Sequence, residues 1–173
     1  MTFAPRSAAI IIGAFMVAPA FAEETRELGA HEHGAATLEV AVEGDAIEMM
    51  LEVPAENIVG FEHSPETDEQ KAAIEEATKQ LSDPLALFSV PGEAGCEVTS
   101  SEVEVHQEGD HMGFEGAYAL RCADVAAIDA IDTQLFNLYP TIEEIDVSYA
   151  TAAGQGAAEL DADSSVLELS SAQ

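Results

Sequence analysis

The stretch LEVAVEGDAIEMMLEVP, residues 38–54, decides how this chain begins to fold. Over residues 38–42 apolar side chains alternate with polar or small ones, and Ile47, Met49, Leu51 and Val53 again occupy every second position. This period of two is typical of a strand that buries one face. Gly44-Asp45 lies between the two runs and is a turn signal, and Pro54 ends the second run. The stretch therefore predicts a β-hairpin.

A helix and a second pair of strands are predicted beyond this hairpin. Thr67-x-x-Gln70 has the form of a capping box, so we expect a helix that begins there and stops before Asp83-Pro84. Residues 96–105 and 114–122 are expected to form two further extended segments that pair with each other.

The last third of the chain predicts a second helix and further strands. Asp124 is a good N-cap, and apolar residues then recur at helical spacing until Pro140, namely Ile128, Ile131, Leu135 and Leu138. Strands are expected at residues 145–149, 157–160 and 166–169. The predicted order is ββ-α-ββ-α-ββ(β). It favours an α+β fold of two layers, with a mostly antiparallel sheet and two helices on one face.

Residues 1–22 are predicted to be a signal peptide, and residues 23–173 a single domain. Arg6 supplies positive charge, residues 8–17 form an apolar run, and Ala20-Phe21-Ala22 fits the cleavage pattern. The run is too short to span a bilayer, and no later segment is long and apolar enough to do so. We therefore expect a soluble protein of a Gram-negative periplasm, with no stable membrane insertion after cleavage.

The charge of the chain restricts its partners. There are 34 acidic residues against five basic ones, which gives a net charge of −29. Nucleic acid and anionic lipid are excluded as favourable partners, whereas cations and basic protein surfaces are compatible. Most of the carboxylates are expected to belong to a solvated surface.

The two cysteines, Cys96 and Cys122, are predicted to form a disulfide, because an even pair in an oxidising compartment pairs by default. On the chain-entropy view the bond stabilises the fold by roughly 3.5 kcal/mol. The alternative is that the two thiolates bind a metal, although their spacing is not C-x-x-C.

Three histidines form the first candidate metal site. His31 and His33 would project to the same face of an extended segment, and His63 could approach them if its loop folds back beside the first strand. Imidazole nitrogen is a preferred ligand of Zn²⁺. The alternative is that His31 and His33 are solvated residues near the start of the domain.

A second candidate cluster lies between the two cysteines. His106 and His111 are separated by a polar connection that contains Asp110, and such a group can capture a divalent cation weakly. The alternative is an ordinary hairpin turn.

The sequence lacks enzyme signatures. There is no G-x-S-x-G elbow and no glycine-rich phosphate loop, and His31-Glu32-His33 is not H-E-x-x-H. We therefore predict that the protein is not an enzyme. A metallohydrolase with zinc on His31, His33 and His63 and an open water position is a further alternative, for which no general base can be named.

PAENIVGFEH, residues 54–63, has the pattern Pro-Ala-x-Asn-x-x-Gly-Phe-Glu-His. With this segment as the most specific match, the chain resembles the zinc-regulated periplasmic ZrgA-like family. The resemblance covers nearly the whole chain after the signal peptide. It also includes His31-x-His33-Gly34, the hairpin of residues 38–53, Asp83-Pro84, Gly95-Cys96, Tyr118-x-x-x-Cys122, and Leu135-Phe136-x-x-x-Pro140.

This resemblance implies an exported accessory zinc binder that works beside an ABC-type importer, with His31, His33 and His63 as the leading zinc ligands. Members of the family often carry a long His/Asp-rich loop between the cysteine-bearing segments. Here that loop is reduced to residues 106–111. The departure favours one structured site, with a small accessory loop, over a high-capacity zinc store.

We therefore predict a soluble periplasmic zinc-binding protein that buffers zinc or delivers it to an uptake system. The expected cofactor is Zn²⁺, and imidazole ligands also accept other divalent transition metals. The expected partners are the zinc ion and components of an ABC-type zinc importer. The alternative is an acidic module that docks a basic protein and binds no specific metal.

Overall fold

The computed structural model describes residues 34–169, so the predicted signal peptide lies outside the described residues. The strands are β1 (Ala35–Glu43), β2 (Ala46–Pro54), β3 (Phe88–Ser89), β4 (Cys96–Glu108), β5 (His111–Cys122), β6 (Ala130–Thr133), β7 (Glu144–Thr151), β8 (Gly154–Leu160) and β9 (Val166–Glu168). The helices are α1 (Ala55–Val59), α2 (Asp68–Leu81), α3 (Pro84–Leu87) and α4 (Leu135–Leu138). Short 3₁₀ turns lie at Gly92–Ala94 and Val125–Ala127.

The strands form two sheets. The larger has six strands in the order β4-β5-β2-β1-β7-β8, and the smaller has three in the order β3-β6-β9. Neighbouring strands are antiparallel except β1 and β7, which run parallel. The fold is thus α+β with a mostly antiparallel sheet, as predicted.

The hairpin predicted from residues 38–54 is confirmed as β1 and β2. Leu38 lies opposite Leu51, and Val40 lies opposite Met49, and all four side chains are buried. Because side chains alternate between faces along a strand, the intervening residues lie on the opposite face, which we call the open face. The pattern of burial continues across the neighbouring strands β5 and β7.

Helix α2 and the small sheet contribute to the same hydrophobic core as the buried face of the large sheet. The Tyr118 hydroxyl of β5 donates a hydrogen bond of 2.9 Å to the carbonyl oxygen of Leu81 at the end of α2. The ring centroid of Phe88 in β3 lies 6.0 Å from that of Tyr118. Burial raises the pKa of Tyr118 above its ordinary value, so its hydroxyl stays protonated and continues to donate.

The capping box predicted at the start of α2 is present. Thr67 Oγ1 accepts from the backbone N–H of Gln70, and Gln70 Oε1 accepts from the backbone N–H of Thr67. These two bonds satisfy donors that the first turn of a helix leaves without intrahelical partners.

The prediction of a second helix between Asp124 and Pro140 is wrong for most of those residues. Asp124 accepts from the N–H of Ala126 and caps only a 3₁₀ turn, residues 130–133 form β6, and only Leu135–Leu138 is helical. In β6, Ile131 and Thr133 are buried, whereas Ala130 and Asp132 are only partly buried. An apolar run this short fits a helix or a strand, and pairing with β3 and β9 decides for the strand.

The predicted order of elements is also incorrect. Three helices, rather than one, separate β2 from β3. The final strand, β9, pairs with β6 in the small sheet instead of continuing the large one. The local sequence pattern of β6 or of β9 does not indicate that these two strands pair with each other.

The disulfide between Cys96 and Cys122 is present, and neither cysteine is left to bind a metal as a thiolate. The two residues lie opposite each other in β4 and β5. Within residues 34–169, no helix is both long enough and apolar enough to span a bilayer.

The one-sided burial of β2 can be tested with adjacent residues. Leu51 is 1% exposed and Met50 is 40% exposed. Leu51→Ala should lower the free energy of unfolding by about 2–5 kcal/mol, because it leaves a cavity in the core. Met50→Ala should change it by no more than about 0.5 kcal/mol. Urea unfolding followed by circular dichroism measures both, and similar losses for the two variants would contradict the assigned faces.

Candidate metal centre

The first element of the candidate site is Asn57 in α1, a buried polar residue that joins two segments distant in sequence. Its Oδ1 accepts from the N–H of Gly34 at 3.0 Å, and its Nδ2 donates to the carbonyl oxygen of Ala35 at 2.9 Å. The start of β1 is therefore fixed beside α1. His31 and His33 lie outside the described residues. In the sequence, His33 directly precedes Gly34.

Gly60 ends α1 and redirects the chain towards the next part of the site. Its φ of 79° is a left-handed conformation that glycine adopts without strain, and its N–H donates to the carbonyl oxygen of Glu56 at 2.9 Å. The residues that follow immediately are Phe61, Glu62 and His63. His63 therefore lies only a few residues after Asn57, which holds the start of β1. It belongs to the loop of residues 61–67, which we call the His63 loop.

The loop after Gly60 contacts the far end of the β4–β5 hairpin at two points. Glu62 Oε2 lies 2.9 Å from His111 Nδ1, and Ser64 Oγ donates to Gln107 Oε1 at 2.8 Å. The hydrogen bond and negative charge of Glu62, together with the weaker field of Asp110, raise the pKa of His111 above 6.5. Two candidate clusters that are far apart in the sequence, at His63 and at residues 106–111, are therefore neighbours.

His63 is exposed and its ring is oriented by local contacts. Its Nδ1 lies 2.9 Å from the carbonyl oxygen of Ser64, and its ring centroid is 5.2 Å from that of Phe61. A carbonyl oxygen only accepts hydrogen bonds, so Nδ1 carries the proton and the neutral ring has its lone pair on Nε2. Metal-binding histidines commonly use one ring nitrogen in this way and ligate through the other.

His111 has the same arrangement with a carboxylate in place of the carbonyl. A hydrogen bond from His111 Nδ1 to Glu62 fixes the neutral tautomer with its lone pair on Nε2. A carboxylate–histidine pair of this kind also raises the basicity of the ligating nitrogen. Glu62 is therefore better suited to orient His111 than to bind the metal itself. Sequence reasoning placed Glu62 beside His63 without finding its partner, because the contact depends on how the hairpin is oriented.

His106 lies next to this region and carries an unsatisfied polar atom. It pairs with Gly113 across β4 and β5, and its ring occupies the space of an absent side chain, since a Cβ on Gly113 would lie 2.7 Å from His106 Cε1. Its buried Nδ1 has no hydrogen-bond partner among the described residues. An unpaired buried polar atom costs about 1–3 kcal/mol and calls for a water or an ion. His106 thus fits a role in holding a cation.

A separate group of carboxylates lies on β7 and β8. Candidate ligand oxygens of Glu144, Asp146 and Glu159 are within 4.8 Å of one another. Among the described residues no other group of three such ligand atoms lies within this distance, so the structure does not bring His63, His106 and His111 together at one point. An all-oxygen set suits Mg²⁺ or Ca²⁺ rather than Zn²⁺. The sequence does not indicate this group, because it depends on the register that places Asp146 opposite Glu159.

A known protein family matches this chain over most of its length. A family described as ZrgA family zinc uptake protein matches residues 30–169, which is most of the chain. The protein therefore belongs to the ZrgA family of zinc uptake proteins, as the resemblance implied. Comparison with curated proteins gives no match. The match includes His31 and His33 as well as all of the described site residues.

The contact between Glu62 and His111 makes a prediction for the metal-free protein. Glu62→Gln removes the negative charge and should lower the pKa of His111 towards 6.5. NMR titration of the imidazole resonances in the presence of a chelator measures this directly. Asp110→Asn is the matched control and should lower the same pKa by less, since Asp110 is the weaker cause. A larger effect of Asp110→Asn would contradict the contact.

Proposed function

We propose that this ZrgA-family protein is an exported zinc-binding protein that buffers zinc in the periplasm or delivers it to an uptake system. The observation that carries the proposal is the meeting of the His63 loop with the hairpin of residues 106–111, beside the anchored start of β1. Family membership supplies the link to zinc uptake. The periplasmic location rests on the predicted signal peptide.

The ligands we propose are imidazole nitrogens from this end of the sheet. Tetrahedral Zn²⁺ takes Zn–N bonds of about 2.0–2.1 Å, and four such ligands come together only when separate chain segments converge. His63 and His111 each have the Nδ1 contact that leaves Nε2 as the ligating nitrogen of a neutral ring. His33 and His31 precede the Asn57-anchored Gly34 and would complete the set. His106 and Asp110 would be accessory ligands.

The acidic surface supports capture of a divalent cation. A net charge of −29 creates a negative potential that raises the local concentration of cations, and salt limits its range to about 8–10 Å. Zinc bound at imidazoles should be released as pH falls, because protons compete for the same nitrogens. The proposal assigns the protein no catalytic activity.

Zinc titration of the chain without residues 1–22 tests the ligands. The triple variant His31→Ala/His33→Ala/His63→Ala should weaken zinc binding by more than about 100-fold, since even the partners of metal ligands contribute 10–100-fold. His111→Ala should also weaken it. Competition with a chromophoric chelator at neutral pH measures the affinity. Unchanged binding in the triple variant would exclude those histidines as the site.

A second comparison isolates the orienting role of Glu62. Glu62→Ala should lower zinc affinity by about 10–100-fold through loss of the hydrogen bond to His111. Glu66→Ala removes the same charge from the same loop at an exposed position and should have little effect. Equal effects of the two substitutions would mean that only net charge matters. Absence of zinc binding by the unaltered protein would favour the alternative, an acidic module that binds a basic partner without metal.

A further inference from the structure

We propose that the open face of the six-stranded sheet is a docking surface for a lysine- or arginine-bearing segment of another protein. This inference does not depend on the zinc site. It rests on two features of the same face, a row of directly opposed carboxylates and a groove beside that row.

The carboxylates lie in one row that crosses all six strands, which we call the acidic row. From β4 to β8 it consists of Glu104, Glu115, Glu52, Thr37, Asp146 and Glu159, each opposite the next in the strand register. With strands about 4.8 Å apart, the row is about 24 Å long. Five of its six positions are acidic.

A groove of about 600 Å³ lies beside the acidic row on the same face. Small or apolar side chains contribute much of its lining, among them Ala41, Ala117, Ala119 and Ala150, together with Met50. Glu48 and Glu102 also line it. Met50 is 40% exposed although it lies near the middle of the sheet.

The acidic row places residues of like charge opposite one another on neighbouring strands. Like charges directly opposite one another on a sheet repel, and Glu115 has a glutamate on each side, at Glu104 and Glu52. The basic residues within residues 34–169 do not relieve this repulsion, since they contact acids elsewhere: Lys71 with Asp68, Lys79 with Glu76 and Arg121 with Asp45. On α2, by contrast, lysines lie beside acids, as Lys71 does beside Asp68 and Lys79 beside Glu76.

Charge complementarity and the groove together specify the occupant. The stem of lysine or arginine is apolar and packs on alanine and methionine, while its charged end reaches a carboxylate. A bare metal ion would use the carboxylates but not the apolar groove. An extended segment of seven or eight residues, at about 3.3 Å per residue, matches the length of the acidic row.

The test uses a fluorescein-labelled peptide of nine lysines and the chain without residues 1–22, with binding measured by fluorescence anisotropy at low ionic strength. Glu52→Gln/Glu104→Gln/Glu115→Gln removes three charges from the acidic row. Glu66→Gln/Glu69→Gln/Glu75→Gln is the matched control, with the same change in net charge at exposed positions on and before α2. The first variant should weaken binding by at least about tenfold and the control by no more than about threefold.

Two further measurements keep the result interpretable. The acidic-row variant should unfold at the same or a higher urea concentration than the unaltered protein, because it removes repulsion, so a loss of binding cannot be attributed to misfolding. Ala117→Phe fills the groove without a change in charge and should also weaken binding.

Three outcomes would overturn the proposal. Equal losses in the two triple variants would show that net charge alone attracts the peptide. Full binding by Ala117→Phe would show that the groove is not used. Displacement of the peptide by stoichiometric Ca²⁺, lost in the acidic-row variant, would identify the face as a site for small cations instead of a protein segment.

Discussion

The six-stranded sheet buries one face and leaves the other in water, and the register of its strands depends on this difference. A shift of one residue in β2 would expose Ile47 and Leu51 and bury Glu48 and Glu52. A buried, unpaired carboxylate costs far more than a buried methylene contributes. The acidic residues of this chain therefore help to fix the fold, because they exclude the alternative registers that would bury them.

The same register determines where the candidate metal site forms. Strand β2 ends at Pro54, α1 follows without a connecting loop, and Asn57 then reaches back to Gly34 and Ala35. The Thr141 hydroxyl, from the segment before β7, donates to the carbonyl oxygen of Asn57. An apolar residue in place of Asn57 would leave the N–H of Gly34 buried without a partner. Through its side-chain amide and its backbone carbonyl, Asn57 thus joins three segments that are distant in the sequence.

The sequence predicts elements whose signals are local, and it fails where pairing is distant. Alternation gives the first hairpin, and the Thr67–Gln70 capping box gives α2, because each depends on residues a few positions apart. The apolar spacing after Asp124 suits a helix as well as a strand, and only the partners β3 and β9 decide for β6. Parallel pairing of β1 with β7 has no local signal at all. His63 and His111 are likewise recognisable as candidate ligands, whereas the Glu62 contact that relates them is not.

The two regions for which we propose cationic ligands differ in chemistry, and a negative potential acts differently on a divalent ion and on protons. The candidate site offers imidazoles, which select transition metals, while the open face offers carboxylates, which do not. Negative charge also stabilises imidazolium, as Glu62 does at His111, so an acidic surface favours protonation of the proposed zinc ligands as well. However, the energy of an ion in a potential scales with its charge. A potential that enriches protons about tenfold enriches a divalent cation about a hundredfold. The same tenfold enrichment of protons raises the pKa of a nearby histidine by about one unit, so the gain for a divalent cation is complete only where the pH lies above that raised pKa.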